Sequence, residues 1–422
     1  MLTPKILTTL PQSTPRSVLA DLVAGVTVAM VALPLSLAIA IASGAPPATG
    51  LVTAIVGGFL ISALGGSRVQ IGGPTGAFIV VVYGVIAAHG FDGLVLATLM
   101  AGVILVIAGF LRAGSLIALV PEPVINGFTI GIAAIIALSQ LPDAAGIVLA
   151  EGTPADALER VPAIWEARGT LDWPSLAVGA GTILAIVALR RAFPRFPGLI
   201  LAVAGASAAV ALLDLPVDTL GDRFGALPAT LPVPALPEIT VARALELLPS
   251  AFVIAFLAGV ESLLSALVAD RMVAGRHRPG AEILAQGVAN IGSALMGGLP
   301  ATGAIARTAT NVRAGGRTPL AGIFHALTIL GVMWAAAPLA GYLAMPALAG
   351  LLLVTAWNMS EPQHWRAHVT TGRRSDRLLL ALTLVLTVFA DLTVAIGVGV
   401  ALGLALRLRR RAPPADWTPP ER

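Results

Sequence analysis

One carboxylate stands alone in a long apolar stretch of this chain: Glu261, within Ala258-Gly259-Val260-Glu261-Ser262-Leu263-Leu264-Ser265. An ionisable group in such surroundings is costly to keep, so it is a functional candidate by default. Ser265 follows four residues later, the spacing that puts two side chains on one helix face. A carboxylate here can carry a proton, or join the serine hydroxyl in holding Na⁺. It can also be structural, paired with a buried hydroxyl or with Arg307. Arg307 is the second charge inside an apolar segment, about one turn beyond Thr302-Gly303-Ala304. It can add positive potential to an anion site, or it can snorkel or pair with Glu261.

Two further stretches carry chemistry through backbone rather than side chains. Gly72-Gly73-Pro74-Thr75-Gly76-Ala77 and Gly297-Gly298-Leu299-Pro300-Ala301-Thr302-Gly303-Ala304 share Gly-Gly, a Pro and Thr-Gly-Ala in the same order. Neither can be regular helix throughout, so its backbone groups must face protein or a wet cavity. The helix that follows each one offers free N–H groups and a positive dipole end. Matched Gly/Pro interruptions in two halves of an apolar chain mark a transport site, with packing kinks as the plainer use. Two opposed helix starts make an anion site without a fully buried positive side chain.

The elements that must hold these residues are membrane spans. Of 422 residues 57% are apolar and 11% charged, against about 25% charged in a soluble domain. Mean hydropathy is +0.91. These values exclude disorder, a nucleic-acid-binding module and an ordinary soluble enzyme. No charge occurs from Leu22 to Ser67, room for two spans with Gly44-Ala45-Pro46-Pro47 as the turn. Further charge-free runs bring the expectation to about fourteen spans. A Pro-rich segment, 214–246, splits them seven and seven. An odd number per half makes two similar halves inverted in the membrane.

The expected organisation is a cytoplasmic segment 1–20, a first repeat 21–213, an outer loop 214–246, a second repeat 247–406 and a basic tail 407–422. With the N-terminus inside, the inner segments hold 21 basic and 8 acidic residues, the outer ones 4 and 13. The positive-inside rule then puts both termini in the cytoplasm of an inner or plasma membrane protein.

Other candidates are weaker. Asn126 and Gln140 in the fifth span, and Gln286 and Asn290 in the ninth, read as interhelical hydrogen bonders. Asp391 marks the last outer turn. His277, His364 and His368 read as solvated loop residues, and His89 and His325 lie near span ends. Cysteine is absent, which removes disulfides and thiol chemistry. Metal-ligand spacing, a P-loop and a Gly-x-Ser-x-Gly elbow are all missing, so no cofactor, no metal and no enzymatic activity are expected.

The chain resembles the SulP (sulfate permease-like) anion transporters. The resemblance runs from Asp21 to about Leu406. It is carried by Asp21-Leu22-Val23-Ala24-Gly25 leading into Leu33-Pro34-Leu35-Ser36, by Gly65-Gly66-Ser67-Arg68 with Gly73-Pro74-Thr75, by Gly127-Phe128-Thr129-Ile130-Gly131, and most specifically by Pro300-Ala301-Thr302-Gly303-Ala304-Ile305-Ala306-Arg307-Thr308-Ala309-Thr310-Asn311.

The resemblance implies an all-α seven-plus-seven inverted repeat with core and gate domains, broken third and tenth spans, an elevator-like movement and a homodimer. It places Thr75, Gly76, Ala77 and Phe78, with Thr302, Gly303 and Ala304, around the anion through backbone N–H groups. Pro34, Ser36 and Ile39 face it from the first span, and Arg307 joins them. Glu261 and Ser265 match the acid and hydroxyl that hold Na⁺ in bicarbonate-transporting members; with Glu as the acid, proton coupling is preferred here. Leu35 and Ala306 replace Gln and Ser of many eukaryotic members and make the pocket less polar. The family's cytoplasmic STAS domain does not occur in these 422 residues, which fits a natural short member or a shortened chain.

The implied activity is secondary active, proton-coupled uptake of a small anion: a C4-dicarboxylate such as fumarate or succinate, sulfate or bicarbonate. A nucleobase permease of the same fold, and an uncoupled anion channel or exchanger, are the alternatives. The partners expected are the anion, H⁺ or Na⁺, the lipid bilayer and a second copy, with no nucleic acid.

Overall fold

The computed structural model describes residues 2–111, 121–149, 154, 157–193, 198–273, 275–362, 365, 370, 373–390 and 392–410. His364, His368, Asp391 and the tail from residue 411 onward lie outside the described residues.

The first half is built from α1 (Pro15–Ala42), α2 (Pro47–Leu64), α3 (Ile79–Phe110), α4 (Glu122–Ala145), α5 (Trp173–Ala192) and α6 (Gly198–Leu212). The second half has α7 (Val241–Val273), α8 (Pro279–Leu295), α9 (Ile305–Arg313), α10 (Leu320–Ala340), α11 (Met345–Met359), α12 (Arg374–Phe389) and α13 (Leu392–Arg410). Helix α3 bends at Gly90, whose φ of 71° only glycine adopts cheaply, and so supplies two segments. Counted that way, these thirteen helices give fourteen segments, and α7 begins six residues before the charge-free run does.

Seven of the described helices have the length and hydropathy of a full span. Of the others, α6 and α11 have 15 residues each. At 1.5 Å per residue these cover about 22 Å of a roughly 30 Å hydrocarbon core. Short helices are tolerated where protein rather than lipid surrounds their ends.

The helices sort into two groups by packing. Helices α7 and α8 lie on α3, α10 lies on α1 and α2, and α9 sits between α7 and α1. Helix α4 packs against α11 and α12, and α5 against α6 and α11. The first group is the core and the second the gate of a seven-plus-seven inverted repeat.

The two halves meet at a two-residue strand from each. β1 (Gly72–Gly73) pairs antiparallel with β2 (Thr302–Gly303), with Gly72 opposite Gly303 and Gly73 opposite Thr302. Gly73 has φ of 147°, beyond the reach of an ordinary side chain. The segment 214–240 lies on α10, α11 and α8: Leu220 and Gly221 donate to the Leu343 and Gly341 carbonyls at 2.8 Å, and Ala235 donates to that of Leu295.

Candidate functional site

The strand pair sets the site, because each strand runs straight into a helix start. After β1 the chain makes a single 3₁₀ turn, Gly76–Phe78, and enters α3. After β2 it enters α9 at Ile305. First-turn amides have no acceptor within their own helix, so both starts present N–H groups beside the strand pair. Gly76 faces the gate: a side chain added there would meet the Met359 sulfur of α11 at 3.4 Å and Ile136 of α4 at 3.7 Å. The first helix start therefore sits where core meets gate.

Not every expected amide is free. The Ala304 N–H donates to the Ile71 carbonyl at 2.9 Å, and the Phe78 N–H to that of Thr75 at 3.2 Å. Strand pairing and the 3₁₀ turn use these two amides, which corrects the expectation that both would line the site through N–H. The Thr302 hydroxyl donates to the Ala258 carbonyl at 2.9 Å and fixes α7 to β2.

Glu261 and Arg307 are brought to the β1 segment by different helices, α7 and α9. Thr75 Oγ1 donates to Glu261 Oε2 at 2.7 Å. Helix α7 thus holds its carboxylate against the residue that opens the first helix start. Arg307 is 2% exposed, and its Nη2 donates to Ser36 Oγ at 3.2 Å. It neither snorkels nor lies within ion-pair distance of Glu261. Its Nε and Nη1 are buried without a hydrogen-bond partner among the described residues, and the guanidinium lies against Gly73. Buried charged donors left unmatched are costly, so this arrangement favours an anionic partner.

Ser265 does not turn toward Glu261's partner. Its hydroxyl meets Thr308 Oγ1 at 3.1 Å, and Thr308 Oγ1 also accepts the Ile71 N–H at 3.1 Å. The two α7 groups therefore grip different broken spans. Pro34 interrupts α1 two residues before Ser36, where a proline removes a backbone donor. Ser36, Ile39 and Phe78 are fully buried, and Gly76, Ala77 and Gly303 are buried beside them.

A second set of polar groups supports the strands. On α8, Glu282, Gln286 and Asn290 recur every fourth residue, all 0% exposed. Glu282 Oε2 accepts the Gly66 and Ser67 amides at 2.8 and 3.1 Å, and its Oε1 accepts Ser262 Oγ at 2.8 Å. Gln286 Nε2 donates to Ser262 Oγ at 2.7 Å, and Gln70 Nε2 to the same hydroxyl at 2.9 Å. Asn290 holds both backbone groups of Ala301, at 2.9 and 2.8 Å. Thr53 Oγ1 accepts the Leu299 N–H at 2.6 Å. It opens a π-helical turn, Thr53–Gly57, a distortion frequent at functional sites.

Several weaker expectations are corrected. Gln140 donates to Ser139 of its own helix at 3.2 Å, and the Asn126 amide nitrogen has no partner among the described residues. Neither bonds across helices to another described residue. His277 is not simply solvated, because its ring lies 2.7 Å from Asp270. His325, in the second turn of α10 and so near a span end as expected, is fully buried. Glu282 and Asp21 are buried as well, although both flank charge-free runs. Asp21 accepts the Arg317 and Thr318 amides at 2.6 and 3.1 Å.

Comparison with known proteins places this geometry. The model of the sulfate permease family matches residues 18–383. The chain is 40% identical over 374 residues to YvdB of Bacillus subtilis (strain 168), provisionally named a sulfate transporter, covering 88% of this chain and 70% of that one. It is 31% identical over 393 residues to the bicarbonate transporter BicA of Picosynechococcus, covering 89% and 68%. The solved transmembrane domain of a cyanobacterial BicA superposes with a TM-score of 0.82 at 29% identity, over 91% of this chain and 99% of that one.

Proposed function

Because the chain belongs to the sulfate permease family, an anion transporter family and not an enzyme family, we propose that it is a secondary active carrier of a small oxyanion, driven by protons through Glu261. Sulfate and bicarbonate, the substrates named for its relatives, are the first candidates; C4-dicarboxylates are the next. The anion would lie between the α3 and α9 helix starts, against the two unmatched donors of Arg307. The core, carrying both helix starts, would move past the gate as a body.

The observation that carries this reading is the 2.7 Å bond from Thr75 to Glu261. It joins a half-buried acid directly to the residue that opens the proposed anion site. Protonating Glu261 removes a negative charge from beside the anion, and charges at such range in a poorly screened interior interact strongly. Proton and anion then bind together. Ser265 is engaged with Thr308, which favours H⁺ over a Na⁺ held between Glu261 and Ser265. The bias of basic residues to one set of loops supports cytoplasmic termini.

The test is uptake into proteoliposomes under an imposed inward proton gradient, with sulfate, bicarbonate, fumarate, succinate and uracil compared. One oxyanion should accumulate with the gradient. Glu261→Gln should abolish gradient-driven accumulation while anion exchange persists. Gradient-driven uptake unchanged in Glu261→Gln removes the carboxylate from the mechanism. Anion currents without accumulation would identify a channel, and uptake of uracil alone a nucleobase carrier.

A further inference from the structure

At the end of the core that carries the N-terminus, three distant parts of the chain come together, bearing Lys5, Arg68, and Arg276 with Arg278. The chain before α1 folds back onto this end. The Lys5 amide donates to the Gly65 carbonyl at 2.8 Å, and its Nζ to the Arg276 carbonyl at 2.9 Å. Arg278 Nη1 donates to the Thr3 carbonyl at 2.9 Å, and the Arg278 amide to that of Gly66 at 3.0 Å. A side chain added at Gly275 would lie 3.9 Å from Arg68 Cδ, which places Arg68 beside the 275–278 turn.

No carboxylate among the described residues lies within 4 Å of any of these four cations. The nearest acids are already engaged. Asp270 is paired with His277 at 2.7 Å, and Glu282 is buried on the Gly66 and Ser67 amides. Burial, and then Arg278 and Arg68, pull the Lys5 ammonium below its ordinary pKa, with Asp270 opposing them.

A second feature adjoins the cluster. The short helix Ile6–Thr9 and the turn Leu10–Gln12 turn their apolar side chains outward, with Leu7 64% and Leu10 49% exposed. Leu19, one turn into α1, is 60% exposed. Cations on one side of a short amphipathic segment and leucines on the other are the pattern of an element lying in the membrane–water interface. The segments that follow α2 and precede α8 meet the N-terminal segment here.

We propose that this cluster is a binding site for the phosphate headgroup of an acidic phospholipid, its acyl chains lying along Leu7 and Leu10. The inference rests on the orientation proposed above, in which this end meets the anionic inner leaflet. The positive-inside rule alone accounts for cations at this face, but not for their convergence on one loop beside exposed leucines. That loop, Gly65 to Arg68, runs into β1. A headgroup held here would restrain the strand that opens the anion site.

The experiment uses the purified full chain. Native mass spectrometry would compare retention of phosphatidylglycerol with that of phosphatidylcholine, and thermal melting in detergent would compare both lipids with inorganic phosphate. Lys5→Gln/Arg68→Gln/Arg276→Gln should lower phosphatidylglycerol retention at least tenfold, since each interfacial cation contributes roughly fivefold. Arg190→Gln/Arg191→Gln, at the same-side end of α5, should leave it unchanged. Leu7→Gln/Leu10→Gln, which keeps every cation, should lower retention of either lipid. Loss in the Arg190/Arg191 control matching that in the cluster variant, after allowing for charge number, would reduce the effect to general surface charge and overturn the site. Equal retention of both lipids would overturn it as well. A melting shift with inorganic phosphate as large as with phosphatidylglycerol would overturn the lipid assignment in favour of a soluble phosphate. None of these readouts depends on transport, so the outcome stands apart from the proposed function.

Discussion

The bond from Thr75 Oγ1 to Glu261 Oε2, 2.7 Å long, can be tested in isolation because Thr75→Val removes the hydroxyl and nearly conserves shape. A hydrogen bond to an ionised group contributes about 1.5–3 kcal/mol and a neutral one about 0.5–1.5. Glu261→Gln keeps an acceptor but discards the charge. The two changes made separately and together form a cycle whose coupling is the charge-assisted part of the bond, about 1–1.5 kcal/mol, or five- to twelvefold in kcat/KM. The assay is anion exchange in proteoliposomes, which does not require the proton gradient that Glu261→Gln is expected to uncouple. Thermal melting of each variant separates lost transport from lost fold. Effects that add to within about 0.5 kcal/mol would mean that Thr75 and Glu261 act independently, and the link between carboxylate and anion site would fall.

The supporting groups give two more expectations. Gly303→Ala should reduce transport about tenfold or more, because the new methyl collides with the Gln70 amide nitrogen and overpacking of this kind costs about 1–3 kcal/mol. Adding Gln70→Ala should restore part of the loss in the same uptake assay, and no restoration would place the defect elsewhere. Glu282→Gln should lower stability by on the order of 3 kcal/mol, read from denaturation in detergent, since it strips charge from bonds to two amides and Ser262. An unchanged melting point would deny Glu282 its place in holding the strand.

What could be read from the sequence follows from which signals are local. Gly72-Gly73-Pro74-Thr75 and Pro300-Ala301-Thr302-Gly303 announce a broken helix because glycine and proline act on their own backbone. Glu261 and Arg307 stand out because nothing nearby is charged. The pairing of β1 with β2 was not legible, since two-residue strands of Gly and Thr have no periodicity. The fate of individual amides was hidden with it, Ala304 and Phe78 included. Glu282 was concealed by position: it stands at the edge of a charge-free run and so resembles a loop acid. A polar residue at 282, 286 and 290 of an apolar helix is nevertheless a visible four-residue stripe, and that stripe was the available signal. Asp21 and His325 gave less, because their partners or surroundings come from helices nearly 300 residues away.

The charges at the strand pair also bear on which anion the proposed site would take. Each helix start contributes roughly half a positive charge, and Arg307 a whole one. With Glu261 ionised the sum is about +1, and with Glu261 protonated about +2. A site built from helix starts alone would hold about +1 at every pH and would suit a monoanion without any coupling ion. Arg307 changes this, because its buried charge exceeds what the helix starts need for a monoanion. Glu261 offsets that excess until a proton arrives. A dianion such as sulfate would then balance the protonated site, whereas a monoanion would leave one positive charge uncompensated in a poorly solvated interior. On this reasoning the Glu261–Arg307 combination points toward a divalent oxyanion carried with a proton, and it does so through one side chain bonded to Thr75, just after β1, and another lying against Gly73 of β1.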